Sequence, residues 1–260
     1  MQDQLKVALI QPNTVWEKRK HNRENLTQKI NEIQQEFQLL VLPETFNTGF
    51  SMKTEGIAET MYGKTVQWMQ SIAIEKQSAV VGSLIIEENK KYYNRLLFVY
   101  PSGEIKYYNK RHLFSLSGED KVFTKGNEKL IVDYLGWKIC PFICYDLRFP
   151  VWSRSSEDVD LLIYVANWPK PRILAWDVLL KARAIENLCY CIGVNRVGED
   201  LDQNEFTGNS AAYDVLGNSV SNIKPSREQV EVVSLDKSHI SYYRNKLRFL
   251  EDRDKFNLIM

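Results

Sequence analysis

A carboxylate, an amine and a thiol, Glu44, Lys110 and Cys144, each follow closely on a strand-like run of this chain, with a second carboxylate, Glu119, not far behind the amine. Residues 139–143 are an apolar run that ends in Cys144, followed by Tyr145-Asp146-Leu147-Arg148. Residues 39–42 are fully apolar and lead into Pro43-Glu44; a strand-like stretch over 104–108 runs into Asn109-Lys110, with His112 and Glu119 beyond. Short apolar runs bounded by turn residues read as buried strands, and in open α/β folds ligands collect at strand ends. A thiol, a carboxylate and an ammonium are together the minimum for cleaving an acyl bond through a covalent intermediate: nucleophile, proton carrier and oxyanion partner. Each also has a structural reading. Cysteine is often just a small buried hydrophobe, Glu44 a turn residue, Lys110 an exposed edge residue and Glu119 one charge in a polar cluster. Spacing alone leaves both readings open.

The elements that would bring these groups together follow from periodicity. A first strand over 5–10 stops at Pro12, and Leu26, Ile30, Ile33 and Phe37 recur at helical spacing over 21–37. After the 39–42 strand, Val66, Met69, Ile72 and Ala73 mark a second helix over 63–76, and a strand follows over 79–86. This β-α-β-α-β rhythm predicts a layered α/β arrangement. Strands over 92–100 and 104–108 flank Pro101-Ser102-Gly103 as a hairpin. Strands over 129–134 and 137–143 deliver Cys144, with Pro141 marking an edge or bulge. A strand over 160–166 ends in Asn167-Trp168-Pro169, a helix covers 174–188, and further strands lie at 190–195, 210–213 and 230–235. Residues 238–260 are charged and aromatic without a strong period, and read as a tail packed on the body or on a partner subunit.

The 260 residues fit one large domain over 1–260 better than two, and no linker-like segment divides them. A 44% hydrophobic content supplies a core. Thirty-four basic against thirty-three acidic residues give a formal charge of +1, which provides no field for nucleic acid or an anionic membrane surface. The start of the chain carries no secretory pattern and no run is long enough to span a bilayer, so a cytoplasmic location is expected. Cys140, Cys144, Cys189 and Cys191 are spaced C-x₃-C and C-x-C within apolar runs, unlike zinc knuckles, and His21, His112 and His239 are scattered, so no metal is expected. Neither a Gly-x-Ser-x-Gly elbow nor a Walker-type loop occurs.

The segments Leu42-Pro43-Glu44, Tyr108-Asn109-Lys110-Arg111-His112-Leu113 and Ile143-Cys144-Tyr145-Asp146-Leu147-Arg148-Phe149-Pro150 strongly resemble the nitrilase (carbon-nitrogen hydrolase) superfamily, over nearly the whole chain. Tyr164-Val165-Ala166-Asn167-Trp168-Pro169, the segment Lys181-Ala182-Arg183-Ala184-Ile185-Glu186-Asn187 and Gly193-Val194-Asn195-Arg196-Val197-Gly198 look most like its ω-amidase branch. Phe249-Leu250 departs from the Phe-Pro that many relatives carry near the C-terminus.

The resemblance implies a four-layer αββα sandwich, a homodimer, no cofactor, and a Glu44-Lys110-Cys144 triad with Glu119 as the additional glutamate beside it. It implies a small linear amide as substrate, with a thioester on Cys144 and an oxyanion held by Lys110 and the Tyr145 backbone N–H. Lys110, as a nearby cation, is expected to favour the thiolate of Cys144. For an ω-amide of a dicarboxylic acid, Arg148 and Arg172 are the candidate carboxylate partners, the alternative being structural ion pairs. Phe50, Phe114 and Trp168 are candidate apolar walls, the alternative being core positions. N-carbamoyl amino acids and deaminated glutathione are the alternative substrates, and a catalytically idle scaffold is the alternative of another class.

Overall fold

A computed structural model describes residues 3–154 and 158–258, so both ends of the expected domain and the last two residues of the expected tail lie outside it. The described residues form thirteen strands and six α-helices. In order, they are β1 (Gln4–Gln11), α1 (Arg19–Asn31), β2 (Leu39–Val41), α2 (Lys64–Lys76), β3 (Ala79–Glu88), β4 (Lys91–Val99), β5 (Ile105–Asn109), α3 (Glu119–Val122), β6 (Val132–Tyr134), β7 (Trp137–Ile143), α4 (Pro150–Ser153), β8 (Leu161–Ala166), α5 (Ile173–Asn187), β9 (Tyr190–Asn195), β10 (Val197–Glu199), β11 (Glu205–Thr207), β12 (Ala211–Tyr213), β13 (Gln229–Asp236) and α6 (Lys237–Leu247). Six strands form one sheet, in the order β13-β1-β2-β3-β4-β5, and five form another, β12-β9-β8-β7-β6. β10 and β11 pair separately as a hairpin.

Period-two alternation assigns each strand residue to a layer. In β1, Leu5, Val7 and Leu9 join the core between the sheets, whereas Ala8 and Ile10 face outward against Leu26 and Ile30 of α1 and Met69 and Ala73 of α2. Leu39 and Val41 of β2 point inward, while Leu40 and Leu42 point to the helices. On the far side, Trp176, Leu180 and Ala184 of α5 pack on the second sheet. The layers are therefore helix, sheet, sheet, helix, as the resemblance implied.

Local chemistry explains two details. Pro141 lies in β7 beyond the three-residue ladder with β6, which pairs only Trp137 through Ile139, so it falls where β8 is the sole partner strand. The segment read as an aperiodic tail holds α6. The Asp236 side chain caps it by accepting from the Ser238 N–H, and Ile240 is its one buried position. Arg244 anchors it through bonds to the Leu188 and Val159 carbonyls. One buried apolar residue in eleven is too weak a period to read from sequence. No described helix is long and apolar enough to cross a membrane.

Candidate active site

The ends of β2, β5, β7 and β8 meet where the two sheets face each other. Glu44 follows β2, and its backbone is pinned on both sides. Leu42 N–H donates to Val81 of β3, and Thr45 N–H donates to Ser83 Oγ at 2.9 Å. Lys110 is the residue after β5, and its N–H still bonds the Asn94 carbonyl of β4 at 2.9 Å. Glu119 opens α3.

Lys110 Nζ donates to Glu44 Oε1 at 2.8 Å and to both oxygens of Glu119, at 3.0 and 2.9 Å. Asn94 Nδ2 bridges the same carboxylates, at 2.8 Å to Glu44 Oε1 and 3.1 Å to Glu119 Oε1. Glu44, Lys110 and Glu119 are all buried. Unpaired charges there would cost several kcal/mol each, so the three exist as a mutually satisfied set. Burial alone would push the Lys110 amine down, but the neighbouring Glu119 and Glu44 outweigh it and hold the ammonium well above its ordinary value. Burial pushes Glu119 above the usual carboxylate range, with Lys110 opposing it.

Cys144 begins a tight 3₁₀ turn directly after β7 and has φ of +43°, a left-handed conformation costly for a side chain with Cβ. Asp146 braces this elbow. Its Oδ2 accepts from Ile143 N at 3.0 Å and from Tyr108 OH at 2.8 Å; its Oδ1 accepts from His112 N at 3.0 Å and pairs with His112 Nδ1 at 2.7 Å. One buried carboxylate thus ties the elbow of the second sheet to residues on either side of Lys110 in the first.

Lys110 favours the thiolate of Cys144, as expected, but it is outweighed. Burial comes first and the Glu44 charge second, and together they push the thiol well above its ordinary value.

All the residues singled out from sequence converge except Glu119, which lies behind Lys110. Glu44, Phe50, Lys110, Phe114, Cys144, Tyr145, Arg148, Trp168 and Arg172 line one cavity of about 130 Å³. Phe50 packs 4.9 Å from Lys110 Nζ. The Arg148 guanidinium lies over Trp168 at 4.9 Å and that of Arg172 over Phe114 at 5.2 Å. Among the described residues neither arginine has an acidic ion-pair partner.

Other wall residues went unread in the sequence. Asp200, Asn204 and Phe206 reach the cavity from the β10–β11 hairpin, and the buried Arg196 stacks on Phe206 at 4.6 Å. Burial lowers that guanidinium to about 10. The polar run Glu199-Asp200-Leu201-Asp202-Gln203-Asn204 between two short apolar stretches was the one available signal for this hairpin.

A carbon-nitrogen hydrolase family profile matches residues 6–245. The chain is 38% identical over 257 residues to omega-amidase YafV of Yersinia enterocolitica, covering 98% of this chain and 99% of the relative. It is 36% identical over 184 residues to 2-oxoglutaramate amidase of Bacillus subtilis, covering 69% and 71%. A crystal structure of a CN-hydrolase superfamily protein from Xanthomonas campestris, with an arsenic adduct in its active site, superimposes with a TM-score of 0.96 at 38% identity, covering 99% of this chain and 100% of that one. With its sheet-end cluster, its layered fold and these relatives, the chain belongs to the carbon-nitrogen hydrolase family, in the omega-amidase branch of the nitrilase superfamily.

Proposed function

We propose that the protein hydrolyses the terminal amide of a small linear dicarboxylic acid monoamide, such as 2-oxoglutaramate or succinamate, to the diacid and ammonia. The observation that carries this reading is the cavity itself: Cys144, Glu44 and Lys110 share it with two guanidiniums that have no acidic partner among the described residues. Stacked on aromatic faces, Arg148 and Arg172 are pre-oriented to take a substrate carboxylate. The small volume, below the ~300–1,000 Å³ of pockets for drug-sized ligands, suits a short chain.

Chemistry follows from the charges. The Cys144 proton passes to Glu44 as sulfur attacks the carboxamide carbon, and the carbonyl electron pair moves onto oxygen. Lys110 directs its N–H groups at Glu44 Oε1 and at both oxygens of Glu119; as the oxyanion forms, one of the two Glu119 contacts is exchanged for it, and the Tyr145 backbone N–H serves it as well. On collapse the C–N bond breaks and ammonia departs with the proton from Glu44. Water, deprotonated by Glu44, then cleaves the thioester, and the proton returns to sulfur as the acid leaves. No step calls for a cofactor or metal.

A cytoplasmic homodimer is part of this reading. Leu174, Val178 and Ile185 are exposed on one face of α5, an apolar stripe suited to a second copy.

Ammonia release from 2-oxoglutaramate and succinamate, beside N-carbamoyl-β-alanine and deaminated glutathione, tests the substrate. The ω-amides should be cleaved fastest, Cys144→Ala should be inert, and Arg148→Ala or Arg172→Ala should raise KM with little change in kcat. Faster turnover of either rival substrate overturns the assignment. An acyl adduct on Cys144 by intact mass would dispose of an idle scaffold.

A further inference from the structure

Asn167, the residue after β8, touches every part of the proton path between Cys144 and Glu44. Its backbone N–H donates to Glu44 Oε2 at 2.8 Å, and its carbonyl lies 4.0 Å from Cys144 Sγ, within reach of the thiol. The side chain Nδ2 donates to the Glu44 carbonyl at 2.6 Å and to Thr45 Oγ1 at 3.1 Å, which fixes the amide orientation because both partners accept. Asn167 is buried, and its Oδ1 has no hydrogen-bond partner among the described residues.

Counting lone pairs locates the proton. A carboxylate offers two acceptor sites on each oxygen. Both sites on Glu44 Oε1 are filled, by Lys110 Nζ and Asn94 Nδ2 at 2.8 Å each. On Oε2 the Asn167 N–H takes one site and leaves one. We propose that the Cys144 proton is accepted on Glu44 Oε2, and that Asn167 is the positioning residue that holds this oxygen beside the thiol. The proton moves from Sγ to Oε2 and the S–H electron pair stays on sulfur as the attacking pair. The titratable groups facing Glu44 are Lys110 after β5, Glu119 in α3 and Cys144 at the elbow; Asn167 adds none, so its effect is geometric.

The inference rests on the amidase reading with Glu44 as proton carrier, and one arm of its test needs no amide substrate. Asn167→Ala and the isosteric Asn167→Asp, which lacks the donor to the Glu44 carbonyl, are compared with the natural enzyme for succinamate turnover and for iodoacetamide alkylation of Cys144 at pH 7 and pH 10. A displaced Oε2 should lower kcat by roughly 10- to 100-fold, the scale of an ångström-level misplacement, with KM within about twofold. Alkylation at pH 7, where deprotonation depends on Glu44, should fall relative to alkylation at pH 10 by roughly tenfold, the low end of that range. A purely structural role would change both alkylation rates together. Unchanged kcat, or an unchanged pH 7 to pH 10 ratio in a variant with native melting, overturns the proposal. If Asn167→Ala does not fold, Asn167→Asp decides. If the natural enzyme ignores ω-amides but the alkylation ratio still drops, the substrate reading fails and this one stands.

Discussion

Asp146→Ala isolates the brace that joins the nucleophile elbow to the Lys110 segment. The substitution strands two buried or partly buried backbone donors, Ile143 N–H and His112 N–H, and removes the acceptor of Tyr108 OH. An unsatisfied buried donor costs about 1–3 kcal/mol, so the two backbone groups alone amount to about 2–6 kcal/mol. His112, partly exposed at its side chain, regains water and adds little. Removing one member of a buried charged network generally costs about 3–5 kcal/mol, which falls inside that range. Urea unfolding should therefore show a loss of about 3–5 kcal/mol for Asp146→Ala and a smaller one for Asp146→Asn, which keeps one acceptor oxygen. Activity should fall further than stability. The φ of +43° at Cys144 stores on the order of 1–3 kcal/mol that the Asp146–Ile143 bond helps contain, and relaxation turns the thiol away from Glu44. Ammonia release from folded Asp146→Asn should drop roughly 100-fold. A loss below about 1 kcal/mol together with native turnover would refute the reasoning.

Glu44→Gln should separate thiol acidity from catalysis. Because the Glu44 charge raises the Cys144 thiol, its removal should move the alkaline limb of iodoacetamide alkylation to lower pH, while turnover falls by roughly 10²–10⁴ at every pH. An alkaline limb that moves up would mean Glu44 acts on the thiol otherwise than by charge. For the α5 face, Val178→Asp should convert a dimer to a monomer in sedimentation velocity without lowering the secondary-structure signal; a natural protein already monomeric at micromolar concentration removes that part of the proposal.

Glu44, Lys110, Cys144 and the wall residues Phe50, Phe114, Trp168, Arg148 and Arg172 were legible because each follows a strand or sits in a motif whose residue types match one chemistry. Asn94 and Asp146 were not. Their importance comes from partners as distant as Glu44, 50 residues from Asn94, and Tyr108, 38 residues from Asp146, pairings that local pattern does not encode. Asn167 stood out only as part of a motif, and its bonds to Glu44 cross 123 residues. The net shift of the thiol was not legible for a related reason. Sequence shows that a cation and a carboxylate are both available, but the balance between Lys110, Glu44 and burial depends on depth and distance. Boundaries of α1 and β2 came out shorter than the apolar pattern suggested, since Ile33 and Phe37 pack on the core from the connecting loop.

The division of labour between the two sheets has a consequence for how the protein tolerates change. Glu44, Lys110 and Asn94 belong to the six-stranded sheet, and Cys144 and Asn167 to the five-stranded one, so neither sheet alone contains a working set. Sheet spacing is set beside the chemistry by contacts such as the edge-on packing of Tyr108 against Phe142, 5.9 Å between ring centres. A conservative swap at such a contact that slides one sheet by a fraction of an ångström leaves the layers folded while pulling nucleophile and base apart. Turnover is thus a finer gauge of inter-sheet spacing than melting temperature, and tolerance to substitution in this core is limited by alignment before it is limited by stability.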